Sequence, residues 1–264
     1  MIILKNAAQI QAMREAGRIV ARALEATREA IRPGVSTWEL DRIAARVFEQ
    51  HQARPAFLGY PSGSSNPFPA TITASINDEI LHGIPSKTRI LKEGDIVSID
   101  TGCHYQGFVG DSAYTMGVGR ISSEAQRLLE VTERALYVGI EAARPGHETR
   151  DIARAVQHFV ESHGFNVIRG YAGHGVGREM HEDPEVPVYW PGPLEWVRLR
   201  KYYRSAPLRP GMTFAIEPMV SAGHPATAEL DDEWTVVMVD QALSAHFEHT
   251  LAILEGEPLI LTQL

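Results

Sequence analysis

An internal repeat limits the fold of this 264-residue chain more than any other feature of its sequence. The tripeptide Arg-Pro-Gly at 32–34 recurs at 144–146, and the residues around the two copies match at the same spacing. Further along, the segment 91–100 (LKEGDIVSID) parallels the segment 208–217 (LRPGMTFAIE). A solenoid needs three or more short repeats, so one long duplication predicts two structural copies packed about a pseudo-two-fold axis. We expect a cleft between the copies.

Each copy opens with two predicted helices. Apolar residues three and four positions apart predict a long helix over 7–31, and Ser36 begins a capped second helix over 36–50. The second copy repeats this design over 122–143 and 149–162, again with Arg-Pro-Gly between the helices.

The two halves run over approximately 1–118 and 119–264, and no linker or low-complexity tract separates them. With 44% apolar and 22% charged residues, the chain has the composition of a globular protein that buries a core. The sequence therefore predicts a single α+β domain over 1–264, in which each half packs two helices on antiparallel strands.

A predicted hairpin over 95–118 carries the first chemical signal. Its first strand alternates in polarity, the chain turns near 104–107, and the second strand returns through Asp111. This register predicts that Asp100 and Asp111 face each other directly. Two like charges so placed destabilise a sheet unless a cation lies between them, so the hairpin predicts a metal site.

Further candidate metal ligands lie in apolar or glycine-rich surroundings. Glu217 and Glu248 each interrupt an apolar run, the second within a predicted strand over 245–253, where an unpaired carboxylate is costly to bury. Asp100 and Glu217 are expected at the ends of equivalent strands in the two copies. Glycines flank His174 and allow its backbone to approach the cleft. Carboxylates joined by an imidazole favour Mn, Fe, Co or Zn in a two-metal site.

Together these residues resemble the metal ligands of a known enzyme family, the methionine aminopeptidases of the bacterial type I class. The five positions that match its ligands in type and order are Asp100, Asp111, His174, Glu217 and Glu248. Motifs around two histidines, HGIP at 82–85 and MHEDP at 180–184, also resemble that family, and the resemblance covers essentially the whole chain. It implies the pita-bread fold, with a metal cleft between two pseudo-symmetric halves.

The resemblance also implies a metal-binding or catalytic role for each of these residues. Two divalent ions would be bridged by Asp111 and Glu248, with Asp100 completing one ion and His174 with Glu217 completing the other. The implied catalytic residues are His82, His181 and Glu217. Glu217 would carry a proton from the attacking water to the leaving amine. His82 would contact the substrate near its scissile amide, and His181 would donate to the oxygen of that amide as it gains charge.

The implied activity is removal of the initiator methionine from nascent polypeptides whose second residue is small. A flexible thioether side chain requires an apolar, aromatic pocket. The substrate-binding positions implied by the resemblance are His82, His181, Tyr60, Met180 and Trp234. The stretch 61–74 departs from the family, because it is longer and lacks the usual cysteine.

A second departure is the segment 189–206, which lengthens the connection between His181 and Glu217. It gathers four basic residues with two tryptophans and three tyrosines. The pattern predicts an amphipathic surface hairpin. Two functional interpretations stay open beside it, a rim of the cleft or a contact to ribosomal RNA.

Composition restricts the partners and the compartment. A formal net charge of -8 argues against a chain devoted to nucleic acid or to anionic lipid, so we expect no specific DNA contact and no membrane association. No apolar run reaches the roughly 18 residues that a spanning helix needs, and the N-terminal sequence lacks the pattern of a signal peptide. Cys103 is the single thiol, which excludes an internal disulfide. We expect a cytoplasmic monomer that acts on nascent polypeptide N-termini.

The sequence leaves two alternative functions open. A proline-directed aminopeptidase or dipeptidase shares the fold and the five ligands, although such enzymes usually carry a further N-terminal domain and this chain begins its first predicted helix near residue 7. A non-catalytic pita-bread module that binds peptides is the other alternative. That module would have lost its ligands, whereas all five are present here.

Overall fold

Capped helices and short antiparallel strands alternate along the chain in the computed structural model, which describes residues 1–264. The helices are α1 (Ala7–Ala30), α2 (Thr37–Gln50), α3 (Ser123–Ala142), α4 (Thr149–Ser162) and α5 (Pro193–Leu199). The strands of the first part are β1 (Arg54–Pro55), β2 (Thr73–Ile76), β3 (Glu79–Leu81), β4 (Ile96–Tyr105) and β5 (Phe108–Gly117). Those of the second part are β6 (Asn166–Val167), β7 (Ala172–Gly175), β8 (Glu182–Pro187), β9 (Thr213–Ile216), β10 (Met219–Ser221), β11 (Thr227–Glu229), β12 (Val236–Met238), β13 (Ser244–His246), β14 (Glu248–Ala252) and β15 (Leu259–Ile260).

The four helices predicted from apolar spacing are confirmed to within a residue at each end. Their starts follow from side-chain caps. The Ser36 hydroxyl accepts the N–H of Glu39 at 3.2 Å, and Glu39 returns a bond by accepting the N–H of Ser36 at 2.9 Å. Ser122 caps α3 in the same way, through the N–H of Ala125 at 3.1 Å. Such a cap satisfies backbone donors that the first helical turn leaves unpaired.

A nine-stranded antiparallel sheet joins the two copies. Its main path runs β1-β4-β5-β14-β9-β7-β8, with β2 added on β4 and β15 added on β14. Strands β4 and β5 of the first copy therefore lie beside β14 and β9 of the second. Two three-stranded sheets, β13-β10-β6 and β11-β12-β3, complete the strands, and the predicted α+β architecture is confirmed.

One core connects the helices with the central sheet. Its largest cluster holds 43 buried residues, among them Leu24 of α1, Leu128 of α3, Ile99 of β4 and Phe214 of β9. Burying a side chain of this size stabilises the fold by about 1.5–3 kcal/mol. The cluster draws on both halves, so the sheet is held rigidly where strands of the two copies meet. No helix of the chain combines the length and the apolarity needed to span a membrane.

The predicted hairpin forms, but its register differs from the prediction. Asp100 pairs with Ala113, and Asp111 pairs with Gly102, so the two aspartates are not directly opposite. The reason is the turn, which consists of Gln106–Gly107 alone, both in the left-handed region at φ 49° and 78°. Because the register is shifted by two residues, the aspartates remain on one face as diagonal neighbours.

Three other strand and turn predictions need correction. Asp100 lies in the middle of β4 and not at its end, whereas Glu217 directly follows β9. The strand predicted over 245–253 is divided into β13 and β14 at Phe247. The segment 189–206 forms the short helix α5 with irregular flanks, and not a hairpin.

Candidate active site

The structure brings all five sequence-predicted metal-binding residues to one cavity of about 390 Å³. We call them the acidic floor, which consists of Asp100, Asp111, His174, Glu217 and Glu248. Each is delivered by the central sheet: Asp100 by β4, Asp111 by β5, His174 by β7, Glu217 from the end of β9 and Glu248 by β14. The pairing of β14 with both β5 and β9 is what draws the two halves of the floor together.

His174 lies among the carboxylates with a defined orientation. Its Nε2 is 3.8 Å from Asp111 Oδ2 and 3.7 Å from Glu217 Oε1. Its Nδ1 lies 3.0 Å from the carbonyl of Gly175, to which it donates a hydrogen bond. This bond leaves Nε2 as the nitrogen with a free lone pair, facing the carboxylates. Burial lowers the pKa of His174 to about 4, so the ring is neutral, as a metal ligand must be.

Three buried oxygens of the floor have no hydrogen-bond partner. They are Asp100 Oδ1, Asp111 Oδ1 and Glu248 Oε1. Burial raises the pKa of Asp111 to about 7, and burial together with the neighbouring carboxylates raises the pKa of Asp100 and of Glu248 well above the usual range. Unpaired buried carboxylate oxygens are costly, and a divalent cation satisfies them directly. The ligand atoms of Asp111, His174 and Glu248 lie within 4.8 Å of one another, so the residues present fit a metal ion.

The side of the cavity is apolar. We call Phe57, Phe68, Met180 and Trp234 the apolar wall, since all four line the same cavity. Phe68 packs edge-on against Trp234 with 5.1 Å between ring centroids. Met180 and Trp234 were predicted from the sequence, whereas Phe57 and Phe68 were not.

The unusual stretch 61–74 builds part of this wall. Asn66 donates from Nδ2 to the carbonyl of Asp232 at 3.2 Å and to Glu233 Oε2 at 3.1 Å. These bonds tie the loop to the segment before Trp234, and Phe68, two residues further along, is 2% exposed. The sequence could have indicated Phe68, because it is a phenylalanine at the end of a polar stretch that contains glycines and serines.

The two predicted catalytic histidines also line the cavity. The ring of His82 lies 6.0 Å from that of Trp234, and burial and the nearby His181 lower the pKa of His82. His181 packs beside His174 with 4.1 Å between ring centroids. His181 Nδ1 is 2.8 Å from the hydroxyl of Tyr60.

Tyr60 and His181 share a hydrogen bond whose direction depends on the tautomer of the imidazole ring. Burial raises the pKa of the Tyr60 phenol, so the hydroxyl keeps its proton. In the tautomer with the ring proton on Nε2, Nδ1 accepts from the Tyr60 hydroxyl and Nε2 is the nitrogen that can donate.

The sequence did not single out His246, but this residue lies beside the floor. Its side chain is buried, its Nε2 has no hydrogen-bond partner, and this nitrogen lies 3.8 Å from Glu217 Oε2. A histidine two residues before Glu248, in an apolar run, was the signal that could have indicated it.

None of the residues 189–206 lines the cavity. Within this segment, Trp190 stacks on Trp196 at 5.2 Å, while Leu194 and Val197 of α5 are exposed. A rim of the cleft and a contact to ribosomal RNA both stay predictions for this segment.

Buried carboxylates and a neutral imidazole at the end of an apolar cavity are the features of a metal-dependent hydrolase. The comparison with known families agrees with this class: the model of metallopeptidase family M24 matches residues 11–255. The chain therefore belongs to metallopeptidase family M24.

Relatives within this family are similar over the full length. The chain is 48% identical to methionine aminopeptidase 1 of Bacillus subtilis, over 100% of both chains. It is 47% identical to the methionine aminopeptidase of Aquifex aeolicus, over 100% of this chain and 99% of that one.

Solved structures agree with the fold. The methionine aminopeptidase of Thermotoga maritima superposes with a TM-score of 0.92 at 41% identity, covering 100% of both chains. The prolidase of Pyrococcus furiosus has a TM-score of 0.77 at 22% identity, covering 99% of this chain and 66% of that one, and supports the fold alone. The predicted pita-bread fold is confirmed.

Proposed function

We propose that the chain is a metal-dependent methionine aminopeptidase, which removes the N-terminal methionine from nascent polypeptides whose second residue is small. The observation that carries the proposal is the junction of the acidic floor with the apolar wall in one cavity. An exopeptidase of this specificity needs such a junction, because the side chain is apolar and the bond to be broken is polar. The full-length similarity to methionine aminopeptidases supports the same substrate.

The acidic floor would hold two divalent ions, with Asp111 and Glu248 shared between them. Asp100 would complete one ion, and His174 with Glu217 the other. These donors suit Mn, Fe, Co or Zn, among which availability decides occupancy. When bound, such ions supply Lewis-acid activation of the attacking water and of the scissile carbonyl.

Glu217 is proposed to move the proton of the attacking water to the leaving amine. Its Oε1 faces His174 and its Oε2 faces His246, so the carboxylate is bracketed between two neutral imidazoles. Burial and the charge of Asp111 raise the pKa of Glu217 well above the usual range in the metal-free site. A carboxylate in this position can accept the proton of the attacking water as a base and then donate it as an acid.

His181 is proposed to stabilise the scissile oxygen as it gains negative charge. In the tautomer that we propose, the Tyr60 hydroxyl donates to Nδ1, which lies 2.8 Å away, and the proton on Nε2 is available for donation. His82, on the Trp234 side of the cavity, is proposed to contact the substrate near the scissile amide.

The apolar wall is proposed to select methionine. Phe57, Phe68, Met180 and Trp234 offer aromatic and thioether surface to an unbranched side chain, and Tyr60 extends this surface at the mouth. The thioether contacts aromatic rings favourably and follows their shape, whereas a branched side chain fills the same space poorly.

For the domain organisation, the oligomeric state and the compartment, we propose what the sequence predicts. The whole chain, 1–264, would act as one catalytic domain made of two halves, as a cytoplasmic monomer on nascent N-termini. A ribosome contact through 189–206 would bring it to those N-termini, and the exposed Arg198 and Lys201 support this interpretation.

Release of free methionine from a Met-Ala-Ser peptide tests the proposed function. The protein is stripped with a chelator, dialysed and supplied with Mn or Co, and Leu-Ala-Ser and Gly-Pro-Ala peptides are assayed alongside. We expect metal-dependent release from Met-Ala-Ser with little activity on the other two. Cleavage of Gly-Pro-Ala would favour the proline-directed alternative, and cleavage of none under any metal would favour a binding module.

A further inference from the structure

The segment before α1 contacts the loop that carries His181. Lys5 Nζ lies 2.5 Å from Glu182 Oε2, and the two side chains are only 3% and 8% exposed. Lys5 is fixed by two more bonds, from Nζ to the carbonyl of Ile3 at 3.0 Å and from its backbone N–H to the carbonyl of Gly211 at 2.7 Å. The ammonium group therefore has a defined position beside the carboxylate.

The other oxygen of Glu182 organises the loop over 177–181. Oε1 accepts the backbone N–H of Arg178 at 2.8 Å and that of Glu179 at 3.3 Å. Gly177 leaves room for this carboxylate, since a Cβ at that position would collide with it. The loop forms neither helix nor strand, so these bonds replace the regular pairing that would otherwise hold its backbone.

We propose that Lys5 is a positioning residue for His181. It neutralises and orients Glu182, and Glu182 holds the loop in the shape that directs the His181 ring into the cavity. Lys5 does not line the cavity, whereas Glu182 does, so Lys5 acts on the site through Glu182 and the loop that Glu182 holds. The inference rests on the proposed function, in which His181 donates to the scissile oxygen.

A buried ion pair makes the connection sensitive to the loss of one partner. Removing the ammonium leaves the Glu182 carboxylate buried with only backbone donors, and we expect such a charge to move toward solvent. This movement breaks the bonds from the N–H groups of Arg178 and Glu179 to Oε1, and His181 moves with the loop.

A double-mutant cycle on kcat tests this connection. Lys5→Met is expected to lower kcat about tenfold in the native background and less than about twofold in a His181→Ala background, because the loop then has no donor to position. Both effects are measured by methionine release from Met-Ala-Ser with the metal-loaded full chain. An equal fractional loss in the two backgrounds would mean that Lys5 acts on stability in general and would overturn the proposal.

Two further variants distinguish a positioning role of Lys5 from an effect of misfolding. Lys5→Met combined with Glu182→Gln removes both charges, while the amide oxygen can still accept the two loop N–H groups, so kcat should exceed that of Lys5→Met alone. Asn6→Ala is the matched control, because it removes the α1 cap, which accepts the N–H of Gln9 at 3.0 Å, beside Lys5 without touching Glu182. It should keep kcat within about twofold. A loss as large as that of Lys5→Met would contradict the proposal.

A spectroscopic measurement separates this proposal from the proposed function. In protein with nitrogen-labelled histidine, Lys5→Met should shift the imidazole signals of His181, whereas Asn6→Ala should leave them in place. Unchanged His181 signals in Lys5→Met would overturn the positioning role even if the enzyme releases methionine. Absence of methionine release by the native chain would instead contradict the proposed function, and the spectra would still decide the role of Lys5.

Discussion

The acidic floor and the apolar wall share one cavity but are built in different ways. Every residue of the floor lies on, or directly follows, a strand of the central sheet, within a core common to both halves. Most of the wall comes from loops, with Phe57 and Phe68 before β2 and Met180 before β8. The proposed chemistry is thus attached to strands of the central sheet, and the proposed substrate selection to loops. Changes in the floor should act on kcat and metal binding, and changes in the wall on KM.

Asp111→Asn should produce the largest effect. The amide keeps the shape of the side chain but removes a charge from the oxygen set that would hold both ions, so kcat/KM should fall by about 10³-fold or more. Metal content after desalting and methionine release check this together. Asp231→Asn, an exposed change in a loop, is the control and should alter neither. A variant at Asp111 that keeps its metal and its activity would show that the floor is not the metal site.

Removal of metal should lower the stability of the fold. Without a cation, the buried carboxylates repel one another, and the melting temperature should fall by about 5 °C or more on chelation. For the same reason, Asp111→Asn should melt at a higher temperature than the native chain when both are stripped. Differential scanning calorimetry measures both differences. A melting temperature that chelation leaves unchanged would contradict the electrostatic account of the floor.

Phe68→Leu should change recognition and spare the chemistry. The smaller side chain loses contact with the methionine thioether and with Trp234, so KM for Met-Ala-Ser should rise about tenfold while kcat stays within about threefold. Steady-state kinetics separate the two constants. Phe48→Leu is a matched change of a buried residue of α2 that does not line the cavity, and it should cost stability without raising KM. A large loss of kcat in Phe68→Leu would contradict the assignment of substrate recognition to the apolar wall and of the chemistry to the acidic floor.

Tyr60→Phe should have the smallest effect, because it removes a single hydrogen bond. The aromatic surface is retained, but His181 loses the partner that keeps its proton on Nε2, so kcat should fall about fivefold with little change in KM. Tyr202→Phe, on the exposed surface, serves as the control. A rise in KM with unchanged kcat would mean that Tyr60 belongs to the wall alone.

The floor could be predicted because polar residues in apolar strands stand out in a sequence. Glu217 and Glu248 follow that pattern, whereas Asp100 and Asp111 were predicted from the hairpin, and the repeat indicated that strands of two copies would meet. The direct opposition of Asp100 and Asp111 was wrong, since register depends on the turn. A one-residue difference in the centre of the turn moves the pairing by two positions.

The wall and the loop contacts could not be predicted in the same way. Phe68 reaches the cavity because Asn66 ties its loop to Asp232, and no local periodicity indicates such a contact. The pair of Lys5 and Glu182 joins residues 177 positions apart in the chain. His246 resembled a core residue, because a single histidine in an apolar strand has no pattern that distinguishes packing from a role beside Glu217.

Anomalous diffraction from crystals grown with Mn²⁺ tests whether the acidic floor is a two-metal site. We expect two anomalous peaks among the five residues of the floor, with Asp111 and Glu248 each contacting both. In Asp111→Asn, both peaks should weaken together. Peaks that lie away from the floor, or crystals that bind no Mn²⁺ there, would show that the floor is not this site.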